Sequence, residues 1–400
     1  MYITGGITMI NDKLLEKIDN LEEELINLYH ILHQNPELSN EEFETTNMIK
    51  KLLQEVDIDI LHTDLKTGLI AEVKGNPNGP IIAIRCDIDA LPIKEENVLS
   101  YKSKNNGKMH ACGHDFHMAA ILGAAYLIKK SQRDLIGTVK FIFEPSEESS
   151  KGAKKIIDTG ALENVEAIFG LHNVPNLDVG IIGIKSGAMT AAVDRFEIKI
   201  SGIGSHAAKP EKSIDPIIIS SNIINALQTI ISRNVSPIND ALLSITHIES
   251  GNSWNIIPDY AYMEGTVRTL DKETRELIPK RMSSLINGIA ESFGGKAKFI
   301  WHQGHPATNN EKEWVNIVSQ IGKRMGYKVS ENSMGLEGED FAYYQETIPG
   351  AFIIFGTGKS FAHHHPKFSV DENAIINCAK YFANLSEEAL SILVKKRHKL

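Results

Sequence analysis

Apolar residues recur at helical spacing over residues 12–35, at Leu14, Leu15, Ile18, Leu21, Leu25, Ile26, Leu28 and Tyr29, and predict an amphipathic helix that Pro36 ends. Ser39, followed by Glu41 and Glu42, reads as the N-cap of a second helix over 41–55. Short apolar runs bounded by turn residues follow at 69–73, 81–88, 138–143 and 167–171. The runs IIAIRCDI, TVKFIF and AIFGL are continuous rather than alternating, the pattern of strands covered on both faces. Helical segments over about 115–130 and 151–159 lie between them. Strands alternating with helices predict an α/β layered domain.

The pattern changes after about residue 185. In FEIKI, Phe196, Ile198 and Ile200 alternate with Glu197 and Lys199, as in a half-exposed strand. A helix over 215–233, the strands ALLSITHIES and YAYMEGTVRTL, a helix over 272–292 and the strand AKFIWHQG complete the order strand–helix–strand–strand–helix–strand. That order predicts a ferredoxin-like α+β unit. From about 311 the chain returns to helix and buried strand (AFIIFGTG) and ends in a helix over 371–396. The expected organisation is one discontinuous α/β domain, 10–186 and 300–400, with an α+β domain, 187–299, inserted in it.

Composition narrows the function. Asp and Glu number 51 against 42 Lys and Arg, a net charge of −9, which argues against a nucleic-acid partner. Three scattered cysteines form no disulfide framework and point to a reducing compartment. No run of about 18 apolar residues predicts a membrane span, and the N-terminus lacks the basic and apolar regions of a secretory signal. Met9 is an alternative start. A cytoplasmic protein is expected.

The candidate chemistry gathers at strand ends and helix starts. MHACGHD places Cys112, His114 and Asp115 immediately before a helix, with a thiol and an imidazole two residues apart. Glu147 and Glu148 follow the strand TVKFIF, where α/β sheets carry their sites. His172 follows another strand, and His363, His364 and His365 precede Pro366. Singly, each has a plainer reading: a surface histidine, a solvated acidic pair, or a small buried thiol, as for Cys86 and Cys378. Their joint placement predicts one site at one edge of one sheet.

With MHACGHDFHMAA, EPSEE, GLHN, GIGSHAAKPEKSIDP and HHHPKF in this order, the chain resembles the metallo-aminoacylase and hippurate-hydrolase family. These amidohydrolases of the zinc-peptidase clan include N-acetyldiaminopimelate deacetylases and plant indole-acetyl amino acid hydrolases. The resemblance runs from LHQNPELSNEE at 32–42 to HHHPKFSVDENA at 363–374. It implies a phosphorylase/hydrolase-like metallopeptidase domain with a lid or dimerisation domain, two divalent metal ions (Zn, Mn, Co or Ni) and a homodimer or higher homo-oligomer. By the same resemblance Cys112 matches a metal-bridging thiolate, and His114, Glu148, His172 and His364 match terminal ligands. His363 and His365 remain alternatives to His364. Glu147 matches the general base, and Asp87 the carboxylate that orients a ligand histidine. His206 matches a mobile oxyanion donor that reaches its own or a neighbouring subunit's site, and its plainer reading is a cap for the following helix. Asn255 and Arg268 match a substrate-carboxylate pair, against a loop asparagine and a salt-bridged strand arginine.

Two positions depart from the family pattern. Cys86 stands where alanine is common. The stretch Met334-Gly335-Leu336-Glu337-Gly338-Glu339-Asp340-Phe341 is two residues longer than usual, which bears on substrate preference.

Amide hydrolysis needs a polarised carbonyl, an acidified water and a proton shuttle that is not itself a metal ligand. Adjacent glutamates with different tasks meet that requirement. The expected reaction is hydrolysis of an N-acyl-L-amino acid to a carboxylate and a free amino acid. A dipeptidase or carboxypeptidase of the same clan, or a non-catalytic binding protein on the fold, are the alternative classes.

Overall fold

The computed structural model describes residues 20–398. The chain forms two compact units. The first comprises residues up to Met189 together with Asn309–Ser333 and the chain from Asp340 onward. The second comprises Thr190–Thr308 and Met334–Glu339.

The first unit is built on an eight-stranded mixed sheet. Its centre is parallel: Ile81–Asp87 lies between Thr138–Glu144 and Val165–Val174, which in turn pairs with Gly350–Gly356. Thr138–Glu144 and Gly350–Gly356 are buried at every residue, as their unbroken apolar runs require. The helices His114–Lys130, Leu21–Gln34 and Asn373–Arg397 pack together over one face around a continuous apolar core. Cys86 and Cys378 are buried in that core.

The helix expected over 12–35 is seen as Leu21–Gln34, and residues 12–19 lie outside the described residues. The second helix is Phe43–Glu55, and Ser39 is not its cap. Ser39 Oγ instead donates to Asp89 Oδ2 at 2.6 Å. The Glu37 carboxylate accepts from Glu44 N at 3.2 Å and Thr45 N at 2.8 Å, so the first-turn amides are satisfied from further upstream.

A buried ion cluster ties the first helix to the start of the third. His33 Nδ1 donates to Asp115 Oδ2 at 2.6 Å, and Nε2 to Glu95 Oε1 at 3.1 Å. Burial opposes the charge on this imidazole, but the hydrogen bonds and charges of Asp115 and Glu95 outweigh it and push the pKa up to about 9. A raised folded-state pKa stabilises fully below the unfolded value of about 6.5 and loses that contribution as pH rises through 9. The stability advantage of wild type over His33→Gln is therefore expected to shrink by about 3 kcal/mol across this window. Urea titrations at both ends would show it, and a pH-independent difference would refute it.

The second unit has a four-stranded antiparallel sheet in the order Ala241–Ser250, Tyr260–Thr269, Ala192–Ser201, Lys296–His302. Numbered along the chain, this is the 2-3-1-4 order of a ferredoxin-like unit. Phe196, Ile198 and Ile200 are buried against Ile219, Ile223 and Leu227 of the helix Pro216–Asn234 and Met282 and Ile286 of Lys272–Ser292. The intervening Arg195, Glu197 and Lys199 face outward, so the alternation predicted from FEIKI holds.

The boundary expected at 299 moves to Thr308. Lys296–His302 is the fourth strand of this sheet, registered from Lys296 on Ser201 to His302 on Arg195. The longer stretch also joins this unit: Ala191 N donates to Glu337 O at 2.8 Å, and Gly338 packs on Val193 and His305. No helix among the described residues is long and apolar enough to cross a membrane.

Candidate metal centre

Strand ends and the turns beside them bring six of the expected residues together in the first unit. Cys112, His114 and His172 offer ligand atoms all within 4.8 Å of one another, as do Cys112, Glu148 and His364, and His114, Glu147 and Glu148. Cys112 Sγ lies 3.5 Å from His172 Nε2. His364 Nε2 lies 3.4 Å, and His114 Nε2 4.0 Å, from Glu148 Oε1.

Local backbone conformation makes this convergence possible. Gly113 precedes the helix His114–Lys130 at φ 90°, and a Cβ there would sit 2.4 Å from Asn173 Oδ1. The turn therefore needs glycine both for its left-handed conformation and for the close approach. Ser146 and His364 adopt positive φ without being glycine, at 64° and 63°. Such conformations cost about 1–3 kcal/mol and persist where surrounding contacts enforce them. Ser146 N is held by Glu42 Oε1 at 2.8 Å, and His364 N by Ala111 O at 2.9 Å.

The three consecutive histidines point to three different environments. His363 Nε2 meets the Asn173 carbonyl oxygen at 3.1 Å, and its ring packs edge-on against His172. His364 reaches Glu148. His365 stacks on the Phe361 ring with centroids 4.3 Å apart.

The donor set suits divalent cations. His172 Nδ1 donates to the Asn173 carbonyl at 2.7 Å, which leaves its Nε2 lone pair directed toward Cys112. Both ring nitrogens of His114 and Glu148 Oε1 are buried without a hydrogen-bond partner. Buried polar atoms are rarely left so; a cation between His114 Nε2 and Glu148 Oε1, 4.0 Å apart, satisfies those two, while Nδ1 faces Asp89 at 3.4 Å. Burial lifts the Cys112 thiol well above its ordinary range, and the charges of Glu148, Glu147 and Asp87 add to the rise. Burial alone would lower His114, but Asp87, Asp89 and Glu148 overcome it and push its pKa up to about 10. Burial lowers His172 strongly, assisted by His117 and His363. The pocket is thus electronegative and holds positive charge.

These features place the chain among known proteins. The model of peptidase family M20/M25/M40 matches residues 83–388. The chain belongs to this family. It is 49% identical over 363 residues to an N-acetylcysteine deacetylase of Bacillus subtilis (strain 168), covering 90% of this chain and 96% of that protein. It is 35% identical over 374 residues to thermostable carboxypeptidase 2 of Saccharolobus solfataricus, covering 91% and 95%. The crystal structure of a dinuclear metal-binding M20 peptidase from Bacillus subtilis superposes with a TM-score of 0.85 at 46% identity, covering 93% and 99%.

Near His114 the structure places two carboxylates, Asp87 and Asp89, where the resemblance implied Asp87 alone. Asp87 Oδ1 makes its short bond to His117 Nδ1, at 2.6 Å, and lies 3.7 Å from His114 Nδ1. Asp89 Oδ1 is nearer to His114 Nδ1, at 3.4 Å. Asp89 also accepts from the backbone amides of Glu147 and Glu148, each at 3.1 Å, and so holds the turn that presents both glutamates. Sequence reasoning missed Asp89, although it stands in the same RCDIDALPI segment. It also missed His117, whose Nε2 accepts from Asn173 N at 3.0 Å.

The remaining expected residues lie in the second unit. His206 is exposed on a two-residue strand paired with Ile256, and its Nδ1 accepts from Ala208 N at 3.1 Å. It does not cap the following helix, because Asp215 Oδ1 accepts from Ile217 N and Ile218 N. Asn255 is half-buried, accepts from Ser253 Oγ at 2.7 Å, and its carbonyl accepts from Ala207 N. Arg268 is half-buried and donates to Thr266 Oγ1, and no carboxylate pairs with it among the described residues. Burial lowers its pKa, with Asp194 acting the other way.

Proposed function

We propose that the chain is a metal-dependent amidohydrolase that cleaves N-acyl-L-amino acids. The observation that carries this reading is the convergence of buried Cys112, His114 and His172 with part-buried Glu148 and exposed His364, and Glu147 beside them. These five residues would hold two divalent cations, of Zn, Mn, Co or Ni type. Such a pair, when bound, polarises the amide carbonyl and acidifies a water.

The chain's own residues do the rest. Glu147 accepts the water proton on its carboxylate and returns it to the amide nitrogen, which leaves as an amine. Asp89 fixes the Glu147 amide and thereby the start of that side chain. His206, supplied by the second unit of this or a neighbouring copy, donates a hydrogen bond to the oxyanion. Arg268 and Asn255 bind the substrate carboxylate, a role that the absence of a partner carboxylate on Arg268 supports. The working form is a homodimer or higher homo-oligomer in the cytoplasm.

The deciding experiment compares N-acetyl-L-cysteine, other N-acetyl amino acids, N-acetyl-L,L-diaminopimelate, hippurate and free dipeptides on enzyme stripped of metal and reloaded with Mn²⁺ or Zn²⁺. Metal-restored turnover of the N-acyl compounds above the dipeptides is the expected result. Preference for free dipeptides would favour a peptidase, the class of the carboxypeptidase relative. Bound metal with no turnover of any amide would refute the hydrolase reading.

A further inference from the structure

A fully buried charge network lies behind the metal centre. Arg85 and Asp87 are two residues apart on one strand and project to the same face, and Glu144 pairs in register with Asp87 on the neighbouring strand. Arg85 grips Glu144 with a fork, Nε to Oε2 at 2.9 Å and Nη2 to Oε1 at 3.1 Å. Its Nη1 donates to Asp87 Oδ2 at 2.8 Å and its Nη2 to Asp340 Oδ1 at 3.1 Å. All four side chains are 0% exposed. One guanidinium therefore faces three carboxylates.

Further bonds reach these carboxylates without adding charge. Tyr344 O–H donates to Glu144 at 2.5 Å, Ala153 N–H to Asp340 at 3.1 Å, and His117 Nδ1–H to Asp87 at 2.6 Å. His117 is neutral here, because its Nε2 accepts from the Asn173 amide. Among the described buried side chains, Arg85 and Lys140 are the only Lys or Arg, and Lys140 is bonded to the Ala161 carbonyl. A purely structural ion pair balances one charge with one. This network carries excess negative charge in a low-dielectric interior, and its Asp87 end lies 3.7 Å from His114 Nδ1.

We propose that the Arg85 network sets the affinity of the adjacent centre for its cations, with Asp340 and Glu144 acting as positioning residues through Arg85, Asp87 and His117. The excess negative charge is offset by bound cations, so network and cations stabilise each other. This rests on the metal-centre reading.

The test is Asp340→Asn in the full chain, which removes one charge at nearly constant volume and leaves one of the two donors, Arg85 Nη2 or Ala153 N, without its acceptor. Calorimetric titration of the metal-free protein with Mn²⁺ and with Zn²⁺ should show affinity weakened about 10–100-fold. Thermal unfolding should separate the two forms: the lost hydrogen bond lowers both, and the metal-loaded form should lose clearly more than the metal-free form. Tyr344→Phe deletes a donor and no charge, so it should leave metal affinity within about twofold while lowering both forms together. If Asp340→Asn does not fold, Glu144→Gln removes a charge from the same network and carries the same expectation. Unchanged metal affinity, with both forms losing the same stability, would overturn the proposal, as would an equal affinity loss in Tyr344→Phe. A wild-type chain that binds no metal would instead refute the metal-centre reading.

Discussion

Glu147→Gln is expected to lower kcat by about 10²–10⁴-fold, with KM little changed and both metals retained. Glutamine fills the same volume but accepts no proton from water and returns none to the leaving nitrogen. The backbone amide of Glu147 is fixed on Asp89 at 3.1 Å, independently of the side chain, so the substitution should leave the turn in place. Metal content is the discriminating readout, because Glu147 also lies within ligand distance of His114 and Glu148. A variant that loses metal together with activity assigns Glu147 as a ligand. A variant with wild-type turnover removes it from the mechanism.

Cys112→Ala is expected to release at least one metal and to abolish turnover, while the metal-free protein still folds. Burial, and then the charges of Glu148 and Glu147, hold the thiol protonated well above the ordinary thiol range. Only the thiolate binds a metal, so loading displaces that proton. Loading also displaces the proton that His114 keeps up to about 10. The sign follows: affinity rises with pH, by about one decade per pH unit for each proton displaced. Titrations in buffers of different ionisation enthalpy count those protons, and Cys112→Ala should release one fewer than wild type. An unchanged proton count and metal content would exclude Cys112 from the centre.

The local signals in the chain were strong where packing is periodic. Unbroken apolar runs marked Ile81–Asp87 and Thr138–Glu144 as strands covered on both faces. The alternation in FEIKI marked one face of the second sheet, and six elements in order predicted its topology. Errors arose where a polar residue had several possible partners. Ser39 has the chemistry of a helix cap, yet Asp89 takes its hydroxyl and Glu37 caps the helix. The boundary at 299 cut through the strand that the element order already gave to the second unit, and its pairing with Ala192–Ser201 as far as His302 shows where that strand ends.

By itself the sequence determined the layered α/β and ferredoxin-like patterns and the donor types near strand ends, because periodicity and motif spacing are local properties of a chain. Only the tertiary structure decided which of His363, His364 and His365 turns toward Glu148, since that depends on a positive φ held by the Ala111 carbonyl. It alone separated Asp87 from Asp89 and gathered Arg85, Glu144 and Asp340 into one cluster. Arg85 and Asp340 stand 255 positions apart, and no local rule links them. They meet because a buried guanidinium must find carboxylates wherever the packed chain brings them.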